Sequence, residues 1–216
     1  MAHELRTPLA TLIGETELAL AGKQTTAQFR NTLESNLEEL QRMTAIVNDM
    51  LFLSRTGRDV RVRSEFIFSL NGLVKEVLEY HEAEALEADV LLRVEGDRAA
   101  HVDRSLFQRA VSNLISNAIR YSTPKGEILV AIVVDEREVR ITVHNAGEPI
   151  EDHHLPRLFQ RFYRLDSART WESNHHGLGL AIVAEIARIH GGTPFAHSDS
   201  SGTSIGFTIS LWPHGT

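Results

Sequence analysis

Apolar residues recur every three or four positions through residues 5–53, in two runs separated by Gly22 and a polar segment at 23–26. This spacing predicts two amphipathic helices joined by a short connection. Helices connected in this way lie antiparallel. One hairpin cannot cover both sides of its apolar stripe, so we expect two copies to form a four-helix bundle in a homodimer. The apolar positions are Leu5, Leu9, Leu12, Ile13 and Leu20, then Phe29, Leu33, Leu37, Leu40, Met43, Val47, Met50 and Leu51.

Beyond residue 63 the pattern changes to short apolar runs that alternate with helical periods. The charged segment 57–63 contains Gly57, interrupts the heptad-like spacing and is predicted to be a linker. The expected strands cover residues 66–70, 90–94, 101–103, 128–134, 139–143, 195–198 and 204–211, and the expected helices cover 71–88, 108–121 and 178–190. The predicted fold class is therefore α+β, with a helical hairpin over residues 1–56, the linker over 57–63 and an α/β sandwich domain over 64–216.

Composition narrows the possible functions. A hydrophobic content of 42% in 216 residues is ample for a packed core. The formal net charge of -7 argues against a nucleic-acid partner, which requires a basic face. The chain contains no cysteine, so disulfides and thiolate metal sites are excluded. No apolar run approaches the length of a membrane span, and we expect a soluble piece.

Two asparagines lie within the helix predicted at 108–121. Asn113 and Asn117 lie four residues apart and project from the same helix edge. Asparagine is a mediocre helix former, so this pair needs a polar partner. The simpler interpretation is that the amides cap a neighbouring loop. The alternative is a phosphate site closed by the glycine-bearing turns at 145–149 and 177–179.

Five segments resemble, in the family's order, the sequence boxes of sensor histidine kinases. They are HELRTPL at 3–9 (phosphoacceptor box), NLISNA at 113–118 (N box), NAGEPI at 145–150 (G1 box), LFQRFYR at 158–164 (F box) and GLGLAIV at 177–183 (G2 box). An ordered set is far more specific than a single glycine pattern. The resemblance implies an ATP-binding domain of the histidine kinase and Hsp90-like type. The G1 variant, followed by HLPRLF at 154–159, further resembles the copper- and silver-responsive sensor kinases.

The resemblance makes His3 the predicted phosphoacceptor. A neutral imidazole is a good nucleophile near neutral pH. Glu4 can accept the ring proton as a general base. By resemblance, Glu4 and Thr7 also fit the pattern that positions water for dephosphorylating a partner. The alternatives are a surface histidine, a carboxylate favoured at a helix start and a local cap.

The other boxes imply an ATP and Mg²⁺ site. Asn117 is the predicted Mg²⁺ ligand, because the ion prefers oxygen ligands, and Asn113 is expected at phosphate or the metal shell. Arg120 should meet phosphate and Tyr121 the base or ribose. Glycines at a helix start allow backbone amides to approach an anion, although close helix packing is their usual explanation. The remaining predicted nucleotide contacts are Asn145, Gly147, Ile150, Gly177, Leu178, Gly179 and Leu180.

The chain departs from the family pattern at Asn145, where an aspartate normally reads the adenine amino group, and at His175, which replaces a common glycine. An amide oxygen can still accept that hydrogen bond, but it carries no charge. His153, His154, His175 and His176 lie in a loop-rich region at 151–176, a candidate lid anchored by Phe159 and Phe162. Neighbouring histidines on a polar loop are usually solvated, and that interpretation is favoured over a metal site.

The expected function is ATP-dependent autophosphorylation of His3 and phosphotransfer to an aspartate in the receiver domain of a response regulator. The resemblance also implies a cytoplasmic fragment of a protein that a missing N-terminal segment anchors in the bacterial inner membrane. One alternative is an ATPase of the same fold, such as a chaperone or mismatch-repair protein, but these lack the N-terminal histidine helix. The other is a dimeric scaffold that binds nucleotide without turnover.

Overall fold

The computed structural model describes residues 2–22, 24–55, 63–135, 137–165 and 177–211, with only the backbone for 2–4 and 55. These residues fall into two compact units. One is helical, and we call it the helical unit. The other contains every strand described below, and we call it the α/β unit. Residues 57–62 of the predicted linker lie outside the described residues.

The helical unit consists of helices α1 (Ala2–Ala21) and α2 (Thr26–Arg55). Thr25 and Gln28 form a capping box at the start of α2: the backbone N–H of Gln28 donates to Thr25 Oγ1, and that of Thr25 donates to Gln28 Oε1. Across the hairpin, Asn36 Nδ2 donates to Thr16 Oγ1 at 3.1 Å. The predicted helical hairpin is thus confirmed.

Much of the apolar surface of these two helices is exposed. The exposed apolar residues include Leu9, Ile13, Leu18, Leu20, Leu33, Leu37, Leu40, Val47 and Leu51. Large contiguous apolar surfaces on a protein usually mark an interaction site. Among the helices of the described residues, none is both long enough and apolar enough to cross a membrane.

The α/β unit contains a five-stranded sheet in the order β2-β4-β5-β7-β6 and a two-stranded sheet of β1 and β3. Strand β2 runs parallel to β4, and the other pairs are antiparallel. The strands are β1 (Glu65–Ile67), β2 (Leu91–Glu95), β3 (Ala100–Val102), β4 (Glu127–Val134), β5 (Glu138–Asn145), β6 (Pro194–Asp199) and β7 (Gly202–Ser210). The two predicted hairpins, β4-β5 and β6-β7, are confirmed.

Helices cover this sheet: α3 (Leu70–Tyr80), α4 (Glu82–Glu87), α5 (Arg104–Tyr121) and α6 (Gly179–Ile189), with a short 3₁₀ helix at Leu155–Arg157. Asp103 caps α5 by accepting the N–H of Leu106 at 3.1 Å. The apolar stripe of α5 is buried, as its spacing predicts; it comprises Phe107, Ala110, Val111, Leu114, Ile115, Ala118 and Ile119. Phe107 meets Phe207 of β7 with ring centroids 6.0 Å apart, which places the core between α5 and the sheet.

Two predicted elements differ from the structure in more than an end position, whereas the helix expected over 108–121 only begins earlier, at Arg104. The helix expected over 71–88 is interrupted at His81, which lies between α3 and α4. Its buried side chain is hydrogen-bonded to Glu84 and Ser112. The strand expected over 66–70 stops at Ile67, because Ser69 instead caps α3 by accepting the N–H of Gly72 at 3.0 Å. The spacing of apolar residues does not predict these two differences. It is the same whether the helix is continuous or interrupted, and whether the strand ends at residue 67 or at residue 70.

Candidate functional site

The candidate site follows the partly exposed edge of α5. Asn113, Asn117 and Arg120 lie on this edge and are half-buried. The apolar residues that flank the edge belong to the buried stripe of the helix. The N-terminus of α6 approaches the edge very closely. A Cβ atom at Gly179 would lie 3.1 Å from Asn113 Oδ1. The glycine therefore lets the first turn of α6 approach Asn113, and the backbone amides of that turn are available to an anion.

The loop after β5 closes the other end of the same helix. A Cβ atom at Gly147 would lie 2.5 Å from the carbonyl oxygen of Tyr121, so only glycine fits at this position. The N–H of Thr123 donates to the carbonyl oxygen of Ala146 at 3.0 Å. The predicted G1 segment is thus held against the last turn of α5. Arg120 in that turn lies with its guanidinium carbon 5.2 Å from the ring centroid of Tyr121.

Asn145 is buried, with only 4% of its surface exposed, at the end of β5. Its Nδ2 donates to the carbonyl oxygen of Ala146 at 3.3 Å. In the sheet it is paired with Ile128 of β4 and Thr203 of β7. A buried amide needs a partner for each polar atom, so this residue is suited to a polar ligand that reaches the end of the strand.

Two polar residues near Asn145, Thr203 on the neighbouring strand β7 and Ser198 on β6 beyond it, have no motif in the sequence and were not predicted. Ser198 Oγ and Thr203 Oγ1 are hydrogen-bonded at 2.7 Å, and both residues are buried. Ser198 Oγ also accepts the backbone N–H of Ile150 at 2.9 Å. The β6-β7 hairpin thereby fixes the end of the G1 segment. Only the strand register, a long-range property, brings these residues to Asn145.

The F and G2 segments meet at Phe162 and Gly177. The N–H of Phe162 donates to the carbonyl oxygen of Gly177 at 2.8 Å. Gly177 has a positive φ of 67°, and a Cβ atom there would lie 2.9 Å from the carbonyl carbon of Phe162. Leu158 is buried, whereas the predicted anchors Phe159 and Phe162 are half-buried. His175 and His176 lie outside the described residues.

A hydrogen-bond network fixes the start of α5. The backbone N–H of Asp103 donates to His190 Nε2 at 3.0 Å, and His190 Nδ1 donates to the carbonyl oxygen of Ile186 at 2.8 Å. Burial lowers the pKa of His190, against the opposing effects of Ile186 and the Asp103 charge. For Asp103, burial raises the pKa, but hydrogen bonds from Ser105, Leu106 and Arg63 outweigh it and hold the pKa below its usual range.

The structure brings together most of the residues predicted in the α/β unit. Asn113 meets Gly179, Tyr121 meets Gly147, and Ile150 is hydrogen-bonded to Ser198 of β6. Leu178 is buried as the residue before α6, and Leu180 is half-buried in its first turn. In the helical unit, His3, Glu4 and Thr7 belong to α1, and the side chains of His3 and Glu4 lie outside the described residues.

Two family descriptions match the chain. Residues 1–58 match HisKA, the His Kinase A (phospho-acceptor) domain. Residues 102–214, more than half of the chain, match HATPase_c, the histidine kinase-, DNA gyrase B- and HSP90-like ATPase. The chain belongs to the sensor histidine kinases.

Curated relatives of this histidine kinase chain include sensor histidine kinase CusS of Escherichia coli (strain K12), which is 42% identical over 97% of this chain and 44% of CusS. Sensor protein CzcS of Cupriavidus metallidurans is 38% identical over 94% of this chain and 42% of CzcS. The predicted resemblance to the metal-responsive subgroup is confirmed by these relatives. The chain spans less than half the length of either relative.

Solved structures confirm the predicted fold class of the kinase chain. Acinetobacter baumannii histidine kinase AdeS matches with a TM-score of 0.80 and 25% identity, over 97% of this chain and 98% of that chain. Histidine kinase ThkA, in a crystal with response regulator protein TrrA, matches with a TM-score of 0.78 and 23% identity, over all of this chain and 61% of that chain.

Proposed function

We propose that this chain is the ATP-dependent catalytic core of a histidine kinase that phosphorylates His3 and passes the phosphoryl group to an aspartate of a response regulator. The observation that carries the proposal is the close approach of Gly179 to Asn113 and of Gly147 to Tyr121. These two glycine contacts place the polar edge of α5 between two backbone segments, and a nucleotide would bind along that edge. The domain limits would be 1–56 for the phosphoacceptor hairpin and 64–216 for the ATP-binding domain.

The residues of the α/β unit fit an ATP and Mg²⁺ site. Asn117 would hold Mg²⁺ through its amide oxygen, since this ion prefers oxygen ligands and keeps several waters. Asn113 and Arg120 would orient the phosphate oxygens. When bound, Mg²⁺ neutralises the charge that develops on the transferred phosphoryl group. Backbone amides at Gly177, Leu178, Gly179 and Leu180 would donate to phosphate at the start of α6.

Adenine would lie at the end of β5. Asn145 would accept a hydrogen bond from the exocyclic amino group, with Gly147 and Ile150 shaping the adjoining loop and Tyr121 facing the base or ribose. Burial supports this role for Asn145, because a hydrogen bond in a dry environment discriminates strongly against a wrong partner.

In the helical unit, the His3 imidazole would attack the terminal phosphorus, and Glu4 would take the proton that leaves the ring. The N–P bond forms as the bond to the leaving nucleoside diphosphate breaks. Glu4 and Thr7 would also position the water that hydrolyses the phosphorylated regulator.

The proposed partners are a second copy of the chain and the receiver domain of a response regulator. The exposed apolar face of α1 and α2 supports the homodimer. The crystal of ThkA with TrrA shows a kinase of this fold bound to a response regulator. The net charge of -7 argues against nucleic acid as a partner, because binding to phosphates requires a basic face. We further propose that the full-length protein is anchored in the bacterial inner membrane, with this region in the cytoplasm.

The decisive experiment incubates the chain with γ-labelled ATP and Mg²⁺. Label that is acid-labile and alkali-stable, and that disappears in His3→Ala, supports the proposal. His197→Ala is the matched control, because it removes an exposed histidine of the α/β unit and should keep full labelling. Label that persists in His3→Ala refutes the assigned phosphoacceptor. Nucleotide binding without any label would instead indicate the non-catalytic scaffold.

A further inference from the structure

A second group of ligand-type side chains lies outside the candidate nucleotide site. Among the described residues, Glu151, His153 and His154 each offer one ligand atom, and these atoms lie within 4.8 Å of one another. We propose that these three residues form a binding site for a divalent transition-metal ion of the Zn²⁺ and Cu²⁺ class. This site is independent of the proposed kinase function, and its test does not require activity.

Backbone geometry explains why the three side chains meet. The N–H of His154 donates to the carbonyl oxygen of Glu151 at 2.9 Å, which closes a turn over 151–154. A turn of this kind brings its first and last residues to the same side. His153 Nδ1 lies 3.2 Å from Glu151 Oε2, and the rings of His153 and His154 have centroids 3.8 Å apart.

The turn is anchored at both ends. At its start, the N–H of Ile150 donates to the buried Ser198 at 2.9 Å. At its end, the N–H of Arg157 donates to the carbonyl oxygen of His154 at 2.9 Å, and the adjoining Leu158 is buried. The backbone that carries the ligands is therefore already in place, which reduces the entropy cost of binding an ion.

His154 also has an outer partner of the kind that metal-ligating histidines require. Its Nδ1 is hydrogen-bonded to the hydroxyl of Tyr163. The guanidinium of Arg157 lies over the Tyr163 ring, 4.4 Å from its centroid, and holds the tyrosine in position. A hydrogen bond at Nδ1 fixes the orientation of the ring and leaves Nε2 for the metal.

The donor set selects the class of ion. Two imidazole nitrogens and one carboxylate oxygen suit Zn²⁺ and Cu²⁺, whereas Mg²⁺ prefers a shell of oxygen atoms. Ligands at about 2.1 Å from a tetrahedral Zn²⁺ ion are about 3.4 Å apart. The widest separation must therefore shrink, and this is feasible because the side chains of Glu151 and His153 are 77% and 63% exposed. Water would complete the coordination.

The test is a calorimetric titration of the whole, chelator-treated chain with Zn²⁺, in the presence of excess Mg²⁺. We expect one ion per chain in the wild type. His153→Gln and Glu151→Gln should each weaken binding by about 10-fold or more, and Tyr163→Phe should weaken it by about 10-fold through the orientation of His154. Cu²⁺ should show the electron paramagnetic resonance pattern of nitrogen ligands in the wild type and lose part of it in His153→Gln.

His197→Gln is the matched control, because His197 also contacts an acidic side chain, Asp199, but belongs to no group of three ligand atoms among the described residues. It should bind Zn²⁺ as the wild type does. The double variant His175→Gln/His176→Gln should also bind normally. Unchanged affinity in both His153→Gln and Glu151→Gln, or loss of binding only in the double variant, would overturn the proposal. Circular dichroism of each variant separates loss of the site from loss of the fold.

Discussion

The buried imidazole of His81 joins the turn between α3 and α4 to α5, with its Nε2 hydrogen-bonded to Ser112 Oγ at 2.8 Å. Its Nδ1 is bonded to Glu84 Oε2, also at 2.8 Å. Only 5% of the His81 surface is exposed. Since Ser112 directly precedes Asn113, this contact fixes the helix from which the predicted nucleotide ligands project.

Replacing His81 should therefore destabilise the α/β unit. His81→Leu removes both hydrogen bonds and leaves the Ser112 hydroxyl without this partner, which should lower the free energy of unfolding by about 1–3 kcal/mol. Urea denaturation monitored by circular dichroism measures the change. His101→Leu, at an exposed position on β3, is the control and should differ little from wild type. Equal stability of the two variants would show that the network is dispensable.

The contact of Gly147 with the Tyr121 carbonyl predicts a position-specific effect of alanine. Gly147→Ala places a methyl group 2.5 Å from a backbone oxygen, so we expect a loss of about 1–3 kcal/mol as the loop is displaced. Gly72→Ala is the control in the same unit, since its Cβ atom would meet Ser69 Oγ at an ordinary 3.4 Å. That variant should be neutral or stabilised by up to about 1 kcal/mol, because alanine favours a helix. Thermal unfolding of both variants tests this contrast.

His190 predicts a pH dependence of stability. Burial lowers its pKa from the ordinary value of 6.5. The unfolded chain then binds more protons than the folded chain just below pH 6.5, so the stability that His190 contributes is present above that pH. It is lost as the pH falls through the folded-state pKa, because a protonated Nε2 cannot accept the Asp103 N–H.

The measurement compares the free energy of unfolding of the wild type and His190→Asn between about pH 8 and about pH 5. The slope due to this one group is at most about 1.4 kcal/mol per pH unit. The wild type should be more stable at the upper end, and the difference should shrink as the pH falls. A difference that stays constant over this range would contradict the role assigned to His190.

The exposed leucines of the helical unit predict where the chain associates. Leu37 is 55% exposed on α2, and burial of a leucine is worth about 1.5–3 kcal/mol. In a symmetric dimer Leu37→Asp acts twice, so the dissociation constant should rise by about 100-fold or more. Leu91→Asp removes a leucine that is 67% exposed on β2 and should leave association unchanged. Sedimentation over a concentration series distinguishes the two, and a similar effect of both would place the interface elsewhere.

The sequence alone determined the element types and the boxes of the site. The apolar spacing of α5 is a local property, and the helix buries the stripe that this spacing marks. Capping chemistry is equally local, as at Thr25 and Asp103. The glycines of the G1 and G2 segments are also read directly from the sequence, and in the structure a Cβ atom at Gly147 or Gly179 would crowd its neighbour.

Only the tertiary structure decided how distant segments meet. The strand order β2-β4-β5-β7-β6 places Thr203 beside Asn145 and Ser198 beside Thr203. At the break between α3 and α4, His81 is hydrogen-bonded to Ser112 of α5. Packing also brings His154, at the end of the turn that begins at Glu151, to the hydroxyl of Tyr163. The sequence pattern alone favours solvated side chains for these histidines. Periodicity reports which face of an element is apolar, whereas register and packing depend on the simultaneous fit of residues far apart in the chain.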